Sequence, residues 1–152
     1  MITVLLPEQI SKHWDVIGYA IEQSLPPIAS GNDERMNRAL SSLLSGKSLC
    51  WVSHTNNESG KFLEAVFVTQ IVVDSISSVK NLLLYSVYGF SKVDENSWAK
   101  GLELLTKYAK TKGCESIVAY TQNDKIKEIA SKFGCDSSWA FLTFSIDKIL
   151  GG

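Results

Sequence analysis

Residues 80–98 read KNLLLYSVYGFSKVDENSW: an apolar run, a short polar connection, and the opening of a helix. Leucines, Val87 and the aromatics Tyr85, Tyr88 and Phe90 make Lys80–Phe90 strand-like. Beyond it, Trp98, Leu102, Leu105 and Ala109 recur at helical spacing, which predicts an amphipathic helix. Asp94 and Glu95 fall in its first turn, where the helix dipole favours negative charge, and Asp94 or Asn96 suits the N-cap. Lys107, Lys110 and Lys112 crowd the last turn, and Gly113 supplies a left-handed stop.

Upstream, Ser48–His54 and Phe62–Asp74 are also strand-like, and the turn-rich stretches Thr55–Lys61 and Ser75–Val79 separate the three runs into an antiparallel meander. The middle run is apolar at consecutive positions from Ala65 to Val68, so both faces of the sheet are expected to be covered there. Before the meander lie a short first strand, Ile2–Leu5, and a helix started by Pro7. The stripe of that helix is Ile10, Trp14, Ile17 and Ile21, up to Pro26-Pro27. A second helix is capped by Asn32 or Asp33, has Met36, Leu40, Leu43 and Leu44 on one face, and stops at Gly46. Downstream, Ser116–Thr121 reads as a short strand. Asn123 caps a helix with the face Ile126, Ile129, Ala130 and Phe133, Gly134 ends it, and Trp139–Ile146 reads as a last strand.

The 152 residues suit one domain, 1–152, with no repeat or linker to divide it. A net charge of −1 with two arginines leaves no basic footprint, so nucleic acid is not an expected partner. The run Ala65–Val73 falls short of the ~20 residues of a membrane helix, and Met1 leads into Ile2–Leu6 without a basic leader, so a soluble chain is expected. Cys50, Cys114 and Cys135 are odd in number and scattered, which suits reduced thiols in a cytoplasmic compartment. Two histidines and these cysteines show no metal-ligand spacing, so no metal is expected. Cys50 and His54 share a strand face but stand about 13 Å apart, too far for a thiolate pair.

The order β-α-α-β-β-β-α-β-α-β, with short connections, resembles the GNAT family of N-acetyltransferases over nearly the whole chain. The fold class it implies is α/β (α+β): a mixed, mostly antiparallel sheet flanked by helices. Ala109 with Gly113, Ser116–Thr121 leading to Asn123, and Lys132-Phe133-Gly134 look like that family's strings. Leu43-Leu44, Gly46, Trp51-Val52, Val68-Thr69, Trp98 and Gly113-Cys114 resemble a small GNAT-like type from tailed-phage genomes. The resemblance implies acetyl-CoA as cofactor, an amine as acceptor, and a cofactor site at Tyr88, Gly89, Phe90, Lys92, Asn96, Ser97, Trp98 and Asn123.

Two departures stand against that implication. Active members carry Arg/Gln-x-x-Gly-x-Gly/Ala after the fourth strand, where glycine lets backbone N–H groups at a helix start approach the CoA pyrophosphate. Here Ser91–Trp98 has no glycine, and Asp94 and Glu95 occupy the place of an anion. The position of the family's helix-four tyrosine, four residues before Gly134, is Ala130, and Lys80–Val93 holds no carboxylate. Tyr88 and Tyr120 are left as candidate catalytic acids, although aromatics on strands most often pack. Two readings follow: an N-acyltransferase with a weak or lost site, or an inactive interaction or structural protein of a phage, docked at the virion.

Overall fold

The computed structural model describes residues 1–26, 32–57 and 60–151. The elements run β1 (Ile2–Val4), α1 (Pro7–Lys12), α2 (Trp14–Gln23), α3 (Asp33–Leu44), β2 (Ser48–Asn57), β3 (Gly60–Val73), β4 (Lys80–Gly89), α4 (Glu95–Thr111), β5 (Ser116–Ala119), α5 (Asp124–Lys132) and α6 (Ile146–Gly151). The strands form one sheet in the order β1-β2-β3-β4-β5, antiparallel throughout except for the parallel pair β4 and β5.

The expected meander holds because each strand buries one set of side chains above the sheet and the other below it. On one face Cys50, Val52, Val66 and Val68 pack with Ile10 of α1, Ile17, Ala20 and Ile21 of α2, and Leu43 of α3. On the other face Trp51, Phe67 and Leu82 pack with Leu105 and Ala109 of α4. β3 therefore lies in the middle of the sheet with Ala65–Thr69 buried on both sides, as its continuous apolar run requires. Trp51 anchors the second face: its indole stacks parallel to Phe67, meets Tyr108 edge-on at 5.3 Å, and donates from Nε1 to Thr69 Oγ1 at 2.9 Å.

Four expectations are corrected. The helix read from Pro7 onward is two helices, because the chain leaves helical geometry at His13, which closes α1 and opens α2. The apolar stripe survives the break, since Ile10 and Ile17 reach the same core. The stretch Thr55–Lys61, read as a turn, is largely strand: β2 and β3 pair out to Asn57 and Gly60, and polar side chains at a sheet end do not prevent pairing. β5 stops at Ala119 rather than Thr121. Trp139–Ile146, read as a last strand, joins no sheet; 135–145 is without regular structure and leads into α6. Its apolar pattern describes a segment suited to pairing, but β5 does not receive it in this chain. Pro27, part of the expected helix break, lies outside the described residues.

Candidate active site between β4 and β5

Parallel strands β4 and β5 are hydrogen-bonded over one short ladder only, from Asn81 opposite Ser116 to Leu84 opposite Ala119. β4 then continues to Gly89, paired to β3 alone. The cause is visible in the register with β3. Leu84 faces Thr69 and Ser86 faces Val68, so Tyr85 is an extra residue, a bulge. Bulges bend and twist the strand that carries them. From Tyr85 onward the β5 side of β4 has no strand partner among the described residues, since β5 ends at Ala119 opposite Leu84, and the space beyond, toward the C-terminal ends of both strands, is the candidate wedge.

The helices that follow both strands start at that same end. Gly89 makes the tight exit from β4: a Cβ there would meet the Ser91 carbonyl oxygen at 3.2 Å. The chain then passes exposed Lys92 to Asp94, which caps α4. Asp94 Oδ1 accepts from the Ser97 N–H at 2.7 Å. Hydrogen bonds from Ser97, helped by Lys100 and the Asn96 N–H, hold the Asp94 carboxyl below the usual range. The acids expected to repel a pyrophosphate thus have partners within the protein, since Glu95 also reaches Lys132 Nζ at 3.7 Å. Of the backbone donors at the start of α4, the Ser97 N–H is already taken by the chain's own carboxylate. Across the wedge, Asn123 caps α5, accepting from Lys125 N at 2.9 Å and Ile126 N at 3.2 Å. Its amide oxygen is occupied in the same way.

The two candidate acids sit in different aromatic pairs. Tyr88 meets Tyr19 of α2 edge-on at 5.8 Å and Phe90 at 5.0 Å. A hydrogen bond with Tyr19, then burial and the Tyr19 charge, push its phenol above the ordinary value, so it stays protonated at neutral pH. Tyr120, just past β5, tilts against Phe141 at 4.8 Å. Trp98 is half-buried in the first turns of α4, and Phe90 is partly exposed at the end of the strand. The fold thus gathers Tyr88, Gly89, Phe90, Lys92 and the first turn of α4 on one flank of the wedge, and Tyr120 and Asn123 on the other.

Sequence reasoning missed two features. Tyr85, the bulged residue, packs on the same face as Tyr88 and lines a cavity of about 280 Å3 between α2, α3 and the sheet, with Met36, Ser42, Ser48 and Gln70. Burial raises its phenol as well. A carboxylate is also present, one strand over from where it was sought. Glu64 is buried beside the strand end, accepts from Ser53 Oγ at 2.9 Å, and takes the Phe90 N–H on its carbonyl. The sequence signal was a single acid inside an apolar run. Glu64 is itself the extra residue of a second bulge, since Ser53 faces Ala65 while His54 faces Leu63. Its carboxylate opens with Ser97, Lys100 and Lys107 onto a cavity of about 450 Å3 on the α4 face, opposite the face of Tyr88.

Burial counts against the thiol-histidine pairing as spacing does. Cys50 is fully buried, and burial pushes its thiol up to about 12. His54 has an imidazole lowered by burial, then by Lys61 and the N-terminal charge. Its Nδ1 lacks a hydrogen-bond partner among the described residues.

This architecture defines the class: the chain has the GNAT acetyltransferase fold. Among solved structures, it superposes on AAC(6')-Iy, solved with the bisubstrate analogue CoA-S-monomethyl-acetylneamine, with a TM-score of 0.70 and 12% identity, over 95% of this chain and 96% of that one. A probable acetyltransferase gives 0.69 at 12% identity over 96% of both chains. Glucosamine-6-phosphate N-acetyltransferase from Arabidopsis thaliana gives 0.64 at 16% identity, over 97% and 98%. No family model matches the sequence, and no curated protein matches it.

Proposed function

We propose that the chain is an acyl-CoA-dependent N-acyltransferase whose cofactor arm enters the wedge between β4 and β5. The observation that carries this reading is the bulge at Tyr85, after which β4 presents a strand edge with no partner. An acyl-pantetheine arm carries amide groups that pair with such an edge as a short strand would. The acceptor amine approaches from the face of Tyr85 and Tyr88, where the cavity under α2 and α3 reaches the bulge. Attack of the neutral amine on the thioester carbonyl forms the amide bond and breaks the carbon–sulfur bond, and the proton lost by the nitrogen passes through solvent to the leaving thiolate, giving amide and free thiol. Tyr88, protonated at neutral pH, is the group assigned to hydrogen-bond that thiolate.

Lys92 supplies positive charge beside the α4 start, while the Asp94 carboxylate opposes a pyrophosphate there, so cofactor affinity is expected to be low. Calorimetry and thermal denaturation with acetyl-CoA and CoA test the reading. A ligand at 100 times its dissociation constant adds about 2.7 kcal/mol. A saturable heat and a shift in melting temperature with either cofactor support it; no heat and no shift at millimolar cofactor reject it.

A second reading rests on one observation, the occupation of the Ser97 and Asn123 cap positions by the chain's own side chains. On that reading the scaffold has lost the reaction and serves as an interaction module, of the kind expected of a phage structural protein at the virion. Co-purification with particles supports it, and measured acyl transfer rejects it.

A further inference from the structure

The cavity beneath the first turns of α4 contains a buried charge that the chain itself does not neutralise. It measures about 450 Å3, inside the range of about 300–1,000 Å3 for small-molecule sites. Glu64, the extra residue of the bulge in β3, presents its carboxylate to this space and is only 8% exposed. Ser53 Oγ donates to it at 2.9 Å, which fills one of about four acceptor positions on an ionised carboxylate. No cation pairs with it among the described residues. A carboxylate taken out of water needs a positive partner or a full set of donors. The remainder has to come from the cavity.

The other charges around this space narrow the chemistry of what fills it. Lys107 Nζ and Glu103 Oε1 pair with each other at 3.0 Å, one turn apart on α4. The Met1 ammonium donates to the His54 carbonyl oxygen at 2.8 Å. Lys100 makes no ion pair among the described residues, and its charge acts on Asp94 only at longer range. That leaves a buried negative group on the sheet wall and a positive group on the helix wall, which do not pair with each other. The lining between them is largely polar and uncharged, with the hydroxyls of Ser53 and Ser97 inside and exposed Thr55 and Asn56 beyond.

We propose that this cavity binds a free α-amino acid with a polar, uncharged side chain, its ammonium on Glu64 and its carboxylate on Lys100. A primary ammonium brings three donors to a carboxylate that has received one, and hydrogen bonds between ionised groups are the strong kind. A simple amine leaves Lys100 unmatched. A simple anion leaves Glu64 unmatched and sets a like charge beside it. An α-amino acid carries both charges at one end and offers its side chain to the hydroxyl and amide lining. The site lies on the face of the sheet opposite Tyr88, apart from the wedge and from the acceptor approach. It is independent of the acyl-transfer reading.

Titration of the full chain, followed by amide nuclear magnetic resonance, tests it with L-serine, L-asparagine and L-glutamine as probes. The expected result is a saturable shift, at millimolar amino acid, of the amides of Ser53, Thr55, Ser97 and Lys100. Two analogues of the tightest binder read the two charges separately. The acid lacking the amino group is expected to bind at least about tenfold more weakly, and the carboxamide about threefold. Glu64→Gln keeps the shape and the acceptor for Ser53, and is expected to weaken binding about ten- to hundredfold. No saturable shift with any of the three probes overturns the proposal. So do shifts confined to the wedge, an analogue that binds as tightly as its parent, and undiminished binding to Glu64→Gln. If that variant fails to fold, the analogues with the wild-type chain decide alone.

Discussion

At the scale of single residues, the chain meets its polar obligations locally, and the solutions are testable one at a time. Thr69 is buried in β3, and its hydroxyl oxygen receives the Trp51 indole N–H. Thr69→Val keeps the shape and leaves that N–H without an acceptor. Stability measured by urea unfolding should fall by about 1–3 kcal/mol. Asp94 has two effects that oppose each other. As an N-cap it stabilises α4, and as an anion it occupies the place a phosphate would take. Asp94→Gly costs the helix only a few tenths of a kcal/mol relative to other loss-of-cap changes, removes the charge and frees the Ser97 N–H. CoA affinity measured by calorimetry should rise about tenfold; no gain counts against a phosphate site at this terminus. Sequence alone identified Asp94 as a cap and as an obstacle, because capping is a local rule. It did not identify Glu64 as a buried carboxylate, because that depends on a bulge which brings Ser53 into reach.

At the scale of elements, boundaries set by local chemistry were legible and those set by pairing were not. The glycines after α3, α4 and α5 all have positive φ, as the stop signals implied. Gly113 shows the cause cleanly: a Cβ there would touch nothing within 4 Å, yet φ is +75°. Gly113→Ala is therefore expected to lower the melting temperature through backbone strain alone, with a cost of about 1–2 kcal/mol. The break at His13 was missed because the apolar stripe runs through it undisturbed. Trp139–Ile146 was misread for a related reason. Alternation reports what a segment can bury and says nothing about whether a partner edge lies within its own chain.

At the scale of the molecule, the order of elements carried most of the fold, since helix-covered faces and short connections leave few arrangements. The wedge was expected at the end of the fourth strand only through the family resemblance, because a one-residue irregularity in a ladder leaves no mark in composition or periodicity. That irregularity also has a genetic corollary. On either side of Tyr85 the neighbours keep fixed partners and faces: Leu84 lies opposite Thr69 toward α4, and Ser86 opposite Val68 toward α2. Deleting Tyr85 outright would leave every one of those pairings and faces in place and straighten the strand. The expected product is a folded protein, weakened by one lost side chain, whose β4 runs on beside β5. Its circular dichroism should match the parent while any CoA binding disappears; retained binding would mean that the bend does not open the cleft. One codon therefore separates scaffold from cleft, and a lineage could give up the cleft by losing that codon while keeping the fold.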